Sequence, residues 1–449
     1  MIRQAAYRRR WRPTRYLLAA TIGAALFLVL VLSSVASFAI GPVPMRATLF
    51  GLPGVGFMAA ATFFGVRALH DQAAAIRGRD ATRAVALFVA GMFMWLAVLD
   101  VYTFTREAGP AVASVCAIAC LPTTAVGLFL VRRFDRNEKE PWRLVMVAAL
   151  WGAIVSTSLV VWAESLWDLL FTATLVPGPA ADTSAAYSAG IFEELAKGTA
   201  LVLLYLVMRD EIDDVVDGII YGAAVGLGFN FMESVAYMTH QYAILAPEGL
   251  GVVGAIGQWY FRQVVGLFFG HATFTALIGA GIGIARQMPQ LRQRVLAIAS
   301  GFLAAIGAHF AWDAWQAFVL VGSSSTQLLL ANARYVVVIG PFAAVVLLLL
   351  VMGQHVEGSA LRRQLLAEAA TGLGAVQRNE VAVLMSPWER FLARLAALGR
   401  GGLRAYLRLA RLQTAQLHLA MERWHRERHE IEQPLAAEEA LRQHVLQLR

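Results

Sequence analysis

Residues 187–208 read YSAGIFEELAKGTALVLLYLVM, an apolar run that contains two adjacent glutamates and a lysine. A helix needs about 20 predominantly apolar residues to cross the hydrocarbon core of a bilayer, and this run is long enough. The whole chain has the same character, because 58% of its 449 residues are hydrophobic and only 15% are charged. A soluble domain carries about 25% charged residues. The sequence therefore predicts an all-α fold, a polytopic membrane helical bundle.

Further apolar runs on both sides extend this bundle to about ten transmembrane helices. Lys and Arg are frequent in the N-terminus and in the loops near 67–83, 132–143 and 286–294, and they are scarce in the alternate loops. The short acidic loop at 209–217 carries little orienting information. By the positive-inside rule, this alternation predicts a multi-pass cell-membrane protein with cytoplasmic N- and C-termini. The arginines behind the net charge of +8 lie in short segments between apolar runs, where they orient the chain, so we expect no nucleic-acid partner. The predicted spans are roughly 17–39, 48–66, 85–104, 111–131, 144–163, 187–208, 218–239, 262–285, 296–318 and 335–353.

The predicted organisation has three parts: a basic N-terminus at 1–16, a transmembrane domain at 17–353 and a tail at 354–449. The tail is rich in arginine, and Ser386-Pro387-Trp388-Glu389 is typical of a helix start. Leucines then recur at roughly helical spacing until Gly401-Gly402 interrupts them. We expect a helical cytoplasmic tail that lies on the membrane surface or packs on itself. The alternative is a tail that binds a partner.

Ionisable residues are concentrated in the four consecutive spans between residues 187 and 318. Each such group in the middle of a membrane costs about 2.5–3.5 kcal/mol, so their grouping indicates function or a compensated ion-pair network. At 1.5 Å per residue, the carboxylate and histidine residues of this group lie about 8–13 Å below the outer ends of their helices, in one layer. We expect them to meet around one water-accessible cavity. They are Glu193, Glu194, Lys197, Glu233, His271, His309 and Asp313.

Local spacing supports this arrangement. Lys197 follows the two glutamates by three and four residues, so it predicts a structural ion pair on one helix face. His309 and Asp313 have the i, i+4 spacing that lets both face a cavity. Gly218, Gly222 and Gly226 form a small-xxx-small stripe, which predicts close packing of a neighbouring helix.

The same residues resemble a known family. Glu193–Lys197 (EELAK) resembles the EExxK signature of the PrsW intramembrane proteases, which belong to the wider superfamily of CAAX-type prenyl endopeptidases. Phe229–Glu233 (FNFME) is similar to the second motif, His271 to the third, and His309–Asp313 (HFAWD) to the fourth. The resemblance covers about residues 125–320, which it implies are the catalytic core. The tail has no part in it.

The resemblance implies an intramembrane endopeptidase that hydrolyses a membrane-anchored protein near its outer membrane boundary. Membrane-anchored anti-sigma factors are the substrates associated with the family. The expected partners are membrane lipid and this protein substrate. The implied catalytic residues are Glu193, Glu194, Glu233, His271, His309 and Asp313.

Two catalytic arrangements remain open. In the first, Zn²⁺ binds ligands drawn from Glu193, Glu194, Glu233, His271 and His309, and lowers the pKa of its water. In the second no metal is needed, because Glu193 acts as the general base while the histidines and Asp313 orient water or stabilise the oxyanion.

Two other functions use the same residues. A proton- or ion-coupled secondary transporter would also employ membrane-buried glutamate and histidine. Transporters usually show paired repeats, and the first five predicted spans have no counterpart of the motif residues. The remaining alternative is a catalytically inactive scaffold or sensor.

Overall fold

The structure is a computed structural model. It describes residues 54–67 apart from 55 and 58, and residues 74–137, 139–167, 179–207, 211–318, 325–427 and 435–449. Within these ranges every regular element is a helix, as the composition predicts. The chain divides into two compact units, one of Trp11–Arg132 with Pro141–Leu347, and one built mainly from Arg133–Glu140 with Leu348–Arg449.

The first unit contains most of the helices. Three of its described segments are π-helical. Such segments are rare in proteins, and those that occur are often at functional sites. The elements are α1 (Ala74–Phe134, kinked at Gly109), α2 (Trp142–Leu150), π1 (Trp151–Ser156), α3 (Thr157–Trp167), α4 (Pro179–Val207), α5 (Val215–Leu245), α6 (Gly251–Trp259), π2 (Tyr260–Val265), α7 (His271–Gln287), α8 (Leu291–Phe318), α9 (Ser325–Arg334) and π3 (Tyr335–Ile339). Helix α10 (Gly340–Ala370) contributes residues to both units.

Five described helices are long and apolar enough to cross a membrane. The predicted span 17–39 lies outside the described residues, and 48–66 lies only partly within them. The predicted run 85–104 falls on the first half of α1 and the run 187–208 falls on α4, and neither of these two segments is among the five. The five are Thr105–Phe134, Trp142–Val161, Val215–Glu248, Leu291–Trp315 and Leu329–Ala370, and each overlaps a predicted span.

The prediction of one continuous span at 262–285 is wrong. The helix is interrupted at residues 266–270, between π2 and α7, and the predicted loop at 240–261 is largely helical instead. Glycine costs about 1 kcal/mol relative to alanine inside a helix, and Gly266 and Gly270 flank the interruption. The hydroxyl of Thr273 donates a hydrogen bond across it to the carbonyl of Phe268 at 2.5 Å. As a result, His271 is the first residue of a helix.

The predicted small-residue stripe on α5 is confirmed. Its three glycines pack against the backbone of α7 so closely that no side chain fits between the two helices. A Cβ added at Gly218, Gly222 or Gly226 would lie 2.1, 2.4 or 2.2 Å from the carbonyl oxygen of Gly279, Thr275 or His271, respectively. These glycines therefore fix where α7, and with it His271, lies beside α5.

The second unit holds most of the predicted tail. Its helices after α10 are α11 (Glu380–Met385), α12 (Pro387–Glu427) and α13 (Leu435–Leu448). The predicted start of α12 is confirmed, because the backbone N–H of Glu389 donates to the Ser386 hydroxyl at 3.2 Å. The predicted interruption is also confirmed, since Gly401 and Gly402 leave helical geometry. An apolar core includes Leu361, Leu365, Leu384, Leu417 and Trp424, and buried Glu368 pairs with Arg423 and Arg442.

Candidate active site

The centre of the site is the ammonium group of Lys197 on α4. Its Nζ lies 2.6 Å from Glu194 Oε1 and 3.1 Å from Glu193 Oε2, so the lysine pairs with both carboxylates. Nζ is also 3.0 Å from Nδ1 of His271 and 4.2 Å from the centre of the Phe229 ring. Lys197 is fully buried, so these contacts replace its hydration.

His271 connects α4 to α5. Its Nε2 lies 2.5 Å from Oε2 of Glu233, while its Nδ1 faces Lys197 and lies 3.6 Å from Glu193 Oε2. An ammonium can only donate, so Nδ1 accepts from Lys197 and the proton of a neutral imidazole is on Nε2, the nitrogen that faces Glu233. The neighbouring carboxylate and lysine thereby select one tautomer of His271.

His309 and Asp313 complete the group from α8. His309 Nδ1 lies 2.9 Å from Glu194 Oε1, and its Nε2 lies 3.7 Å from Glu193 Oε2. Asp313 lies at the edge of the group, with its Oδ2 3.8 Å from Nε2 of His309. The structure therefore brings all seven residues that were singled out in the sequence into one place.

Aromatic rings and a glycine hold the two histidines in position. Phe274 stacks on His309 with ring centroids 4.8 Å apart, and the two imidazole rings are 5.3 Å apart. Gly190 lies beside His309, where an added Cβ would meet the histidine Cβ at 3.3 Å. A bulkier residue at 190 would push His309 away from Glu194.

The sequence-based reading missed Arg262. It lies on π2, and its Nη1 is 2.9 Å from Oε2 of Glu233, the same oxygen that contacts His271. Its guanidinium also stacks on Tyr237, 3.7 Å from the ring centre. In the sequence, Arg262 stands at the start of the predicted span 262–285, where an arginine is typical of a membrane boundary. In the structure it lies in a π-helical turn, with its guanidinium at the site.

The donor set fits a divalent metal. Glu193, Glu194, His271 and His309 each offer one ligand atom, and these atoms all lie within 4.8 Å of one another. Carboxylate oxygen and imidazole nitrogen are common ligands of Zn²⁺. Oε2 of Glu194 is buried without a hydrogen-bond partner. When ionised, the site's four carboxylates exceed its two permanent cations, Lys197 and Arg262, by two charges, which a dication would balance.

One contact opposes that fit. Lys197 already binds Glu194 Oε1 and His271 Nδ1, so a metal that used both atoms would have to displace its ammonium. The same geometry suits a metal-free site in which Lys197 supplies the central positive charge. Both arrangements that the sequence left open are therefore compatible with these side chains.

The site lies in a segment that matches a known family. Residues 140–350 match the model of the PrsW family of intramembrane metalloproteases. The matched segment contains all seven residues and Arg262. The Protease PrsW of Geobacillus kaustophilus (strain HTA426) is 28% identical over 153 residues. That alignment covers 33% of this chain and 64% of the relative's length. No solved structure matches.

These similarities are to intramembrane metalloproteases of the PrsW family, over a segment that makes up less than half of this chain. The tail lies outside the matched segment, as the resemblance implies. Membership of the wider CAAX-type superfamily stays a prediction. The orientation of the termini does too.

Proposed function

We propose that this chain is an intramembrane endopeptidase that hydrolyses a membrane-anchored protein substrate near its outer membrane boundary. The observation that carries the proposal is the convergence of three buried or half-buried glutamates and two buried histidines from four helices. A cluster of ionisable groups in apolar helices costs free energy of insertion, so its presence indicates a function. Its position inside the segment that matches intramembrane metalloproteases supports peptide-bond hydrolysis as that function.

The proposed metal ligands are Glu193, Glu194, His271 and His309, with Zn²⁺ as the expected ion. When bound, a zinc ion supplies a Lewis acid that activates water and polarises the scissile carbonyl. Glu233, which the sequence suggested as a fifth ligand, has a different proposed role. Its Oε2 lies 2.5 Å from His271 Nε2, and a carboxylate beside the far nitrogen of a histidine ligand is a common support in metal sites.

In the arrangement without a metal, the chain's own groups carry the protons. Glu193 lies within 4 Å of Lys197, His271 and His309, which makes it the proposed general base. Lys197 neutralises the adjacent glutamates and holds their rotamers. His309 is bracketed by Glu194 and Asp313, so it is the proposed donor of the proton that the leaving amine needs.

The proposed substrate is a single-span protein, with a membrane-anchored anti-sigma factor as the class that the family suggests. A substrate helix in lipid has all its backbone groups hydrogen-bonded, so its peptide bonds resist attack until it unwinds. Unwinding costs least at a helix end near water. We therefore expect the scissile bond within about two turns of the substrate's outer boundary, at the depth of the polar layer.

The test uses the full chain reconstituted with a single-span reporter substrate. We expect a cleavage product whose new terminus, mapped by mass spectrometry, lies at the outer boundary, and no product with Glu193→Gln. A cut on the cytoplasmic side would overturn the proposed topology. Solute or ion uptake that Glu193→Gln abolishes, with no cleavage by either protein, would favour a secondary transporter.

Elemental analysis of the same samples separates the two catalytic arrangements. Stoichiometric zinc that is lost in His309→Ala, with cleavage lost after chelation and restored by zinc, is expected for the metal site. Full cleavage by protein that contains no metal would show that Lys197 and Glu193 act without it.

A further inference from the structure

The first half of α12 exposes its apolar face. Trp388, Phe391, Leu392, Leu395 and Leu398 recur at the i, i+3, i+4 and i+7 spacing of one helix face. This apolar stripe is open to solvent: Trp388 is 63% exposed, and the other four are 39–41% exposed. In a soluble helical domain, such a face normally packs against the core. Here it faces outward from the second unit.

Away from the stripe, the first half of α12 has one buried and one half-buried arginine. Arg390 is 6% exposed, and it donates to the carbonyl of Leu384 at 2.6 Å and to that of Arg136 at 2.8 Å. Burial lowers the pKa of this guanidinium to about 10. Arg394 donates to Oε1 of Gln413 at 2.7 Å. The helix therefore buries charge and exposes apolar surface, so the stripe needs another apolar partner.

Contacts within the second unit put the start of α12 at a membrane boundary. Arg136, which Arg390 contacts, belongs to the short connection between the candidate spans Thr105–Phe134 and Trp142–Val161. Gln354 on α10 donates to the carbonyl of Phe134 at the end of the first of these spans, at 2.5 Å. A loop that joins two membrane spans lies at the lipid surface, and the first turn of α12 lies beside it.

The charges around the stripe suit anionic lipid. Arg400, Arg404, Arg408 and Arg411 are exposed at the end of this half-helix and beyond the Gly401–Gly402 kink. Basic side chains beside an apolar helix face are the pattern of helices that lie in the membrane interface. Tryptophan is enriched at that depth, and Trp388 stands at the start of the stripe.

We propose that the apolar stripe of α12 inserts into the headgroup region of an anionic lipid surface, on the side of the membrane where the 133–140 loop emerges. Lipid thus covers the apolar stripe, and the arginines bind the phosphate groups of the lipid. This inference concerns a part of the chain outside the family match, and it does not depend on the proposed proteolytic activity.

The test measures the depth of the stripe in the full-length protein. Cys116 and Cys120 are replaced by alanine, and a nitroxide is attached at Phe391→Cys, Leu395→Cys or Leu398→Cys, one at a time. Arg378→Cys, an exposed position of the same unit, is the matched control. The protein is reconstituted into phosphatidylcholine vesicles that contain phosphatidylglycerol. Collision rates with oxygen and with a water-soluble nickel chelate then report depth.

We expect the three stripe labels about 5–10 Å below the headgroup surface and the control label in water. Leu395→Glu with Leu398→Glu should move the label at 391 into water. Leu373→Glu, at another exposed leucine of this unit, should leave that label in place. All of these leucines are exposed, so the substitutions spare the unit's core.

Two results would overturn the proposal. Stripe labels as accessible to nickel as the Arg378→Cys control would show that lipid does not cover the helix. Labels shielded from both nickel and oxygen would show that protein covers it, and spin–spin broadening would identify that protein as a second copy of the chain.

Discussion

The closest approach of α5 to the candidate active site gives a quantitative prediction. A Cβ at Gly226 would lie 2.2 Å from the carbonyl oxygen of His271 and 2.7 Å from the Cα of Ala272. Carbon atoms pack comfortably at about 3.5–4.0 Å, so Gly226→Ala must push the start of α7 outward by about 1 Å. That displacement carries His271 away from Glu233 and Lys197, which it contacts at 2.5 and 3.0 Å.

Two separate losses are expected from Gly226→Ala. Overpacking of a tight interface costs about 1–3 kcal/mol of stability. A misplacement of about 1 Å in a catalytic group lowers the rate roughly 100-fold. Cleavage of the reporter substrate is therefore measured per folded molecule, with the folded fraction taken from thermal unfolding of the reconstituted protein.

Two other glycines serve as controls. Gly307→Ala adds its Cβ on α8 where no atom lies within 4 Å, so stability and cleavage should both persist. Gly218→Ala creates the same clash, 2.1 Å from the carbonyl oxygen of Gly279, about two turns from Gly226. It should lower stability but spare cleavage per folded molecule. Equal loss of cleavage in Gly218→Ala and Gly226→Ala, or full cleavage by Gly226→Ala, would refute the reasoning.

Four further outcomes are expected. Glu193→Gln and His271→Ala should abolish cleavage at near-normal membrane levels, and cleavage by both variants on immunoblots would remove their catalytic assignment. Lys197→Met leaves two adjacent carboxylates without their cation, so expression and thermal stability should fall along with activity; a well-expressed, active variant would contradict its structural role. Arg262→Gln should lower kcat about 10–100-fold with little change in KM, as for other partners that orient a metal ligand. Arg262→Lys should restore part of the rate, and equal loss in both variants would refute a role through charge. Truncation after about residue 354 should leave insertion and reporter cleavage intact, and its complete inactivity in a correctly inserted protein would make the tail part of the catalytic machinery.

The polar layer of the site was predictable because lipid makes the signal strong. Glutamates and histidines in apolar runs stand out, and helix rise converts their positions into depth. Counting along three helices was enough to expect Glu193, Glu233 and His309 at similar depth, whereas the count for His271 assumed a continuous span at 262–285 that the structure interrupts. The structure nevertheless brings all four within contact of Lys197 or one another. The glycine stripe was predictable for a similar reason, since only backbone contact explains its spacing.

The interruption before His271 was not predictable from hydropathy. Residues 266–270 read GLFFG, which is as apolar as the helices around it, and hydropathy does not report backbone conformation. For the same reason, hydropathy gave no sign that Arg262, which lies in a π-helical turn, contacts the site. The orientation of α12 also escaped prediction. The first half of this helix has an apolar face that would normally be buried. The buried residue there is instead Arg390, although charged residues are normally exposed.

The glycine contact between α5 and α7 has a consequence for the electrical properties of the membrane. Backbones that touch leave no room for a file of water molecules, and such files conduct protons. A protein that holds ionisable groups within the bilayer risks a leak, and each charge that crosses 100 mV dissipates about 2.3 kcal/mol. By bringing α5 against the backbone of α7, Gly218, Gly222 and Gly226 exclude a file of water along this interface, so a charged site beside it need not leak protons by that route.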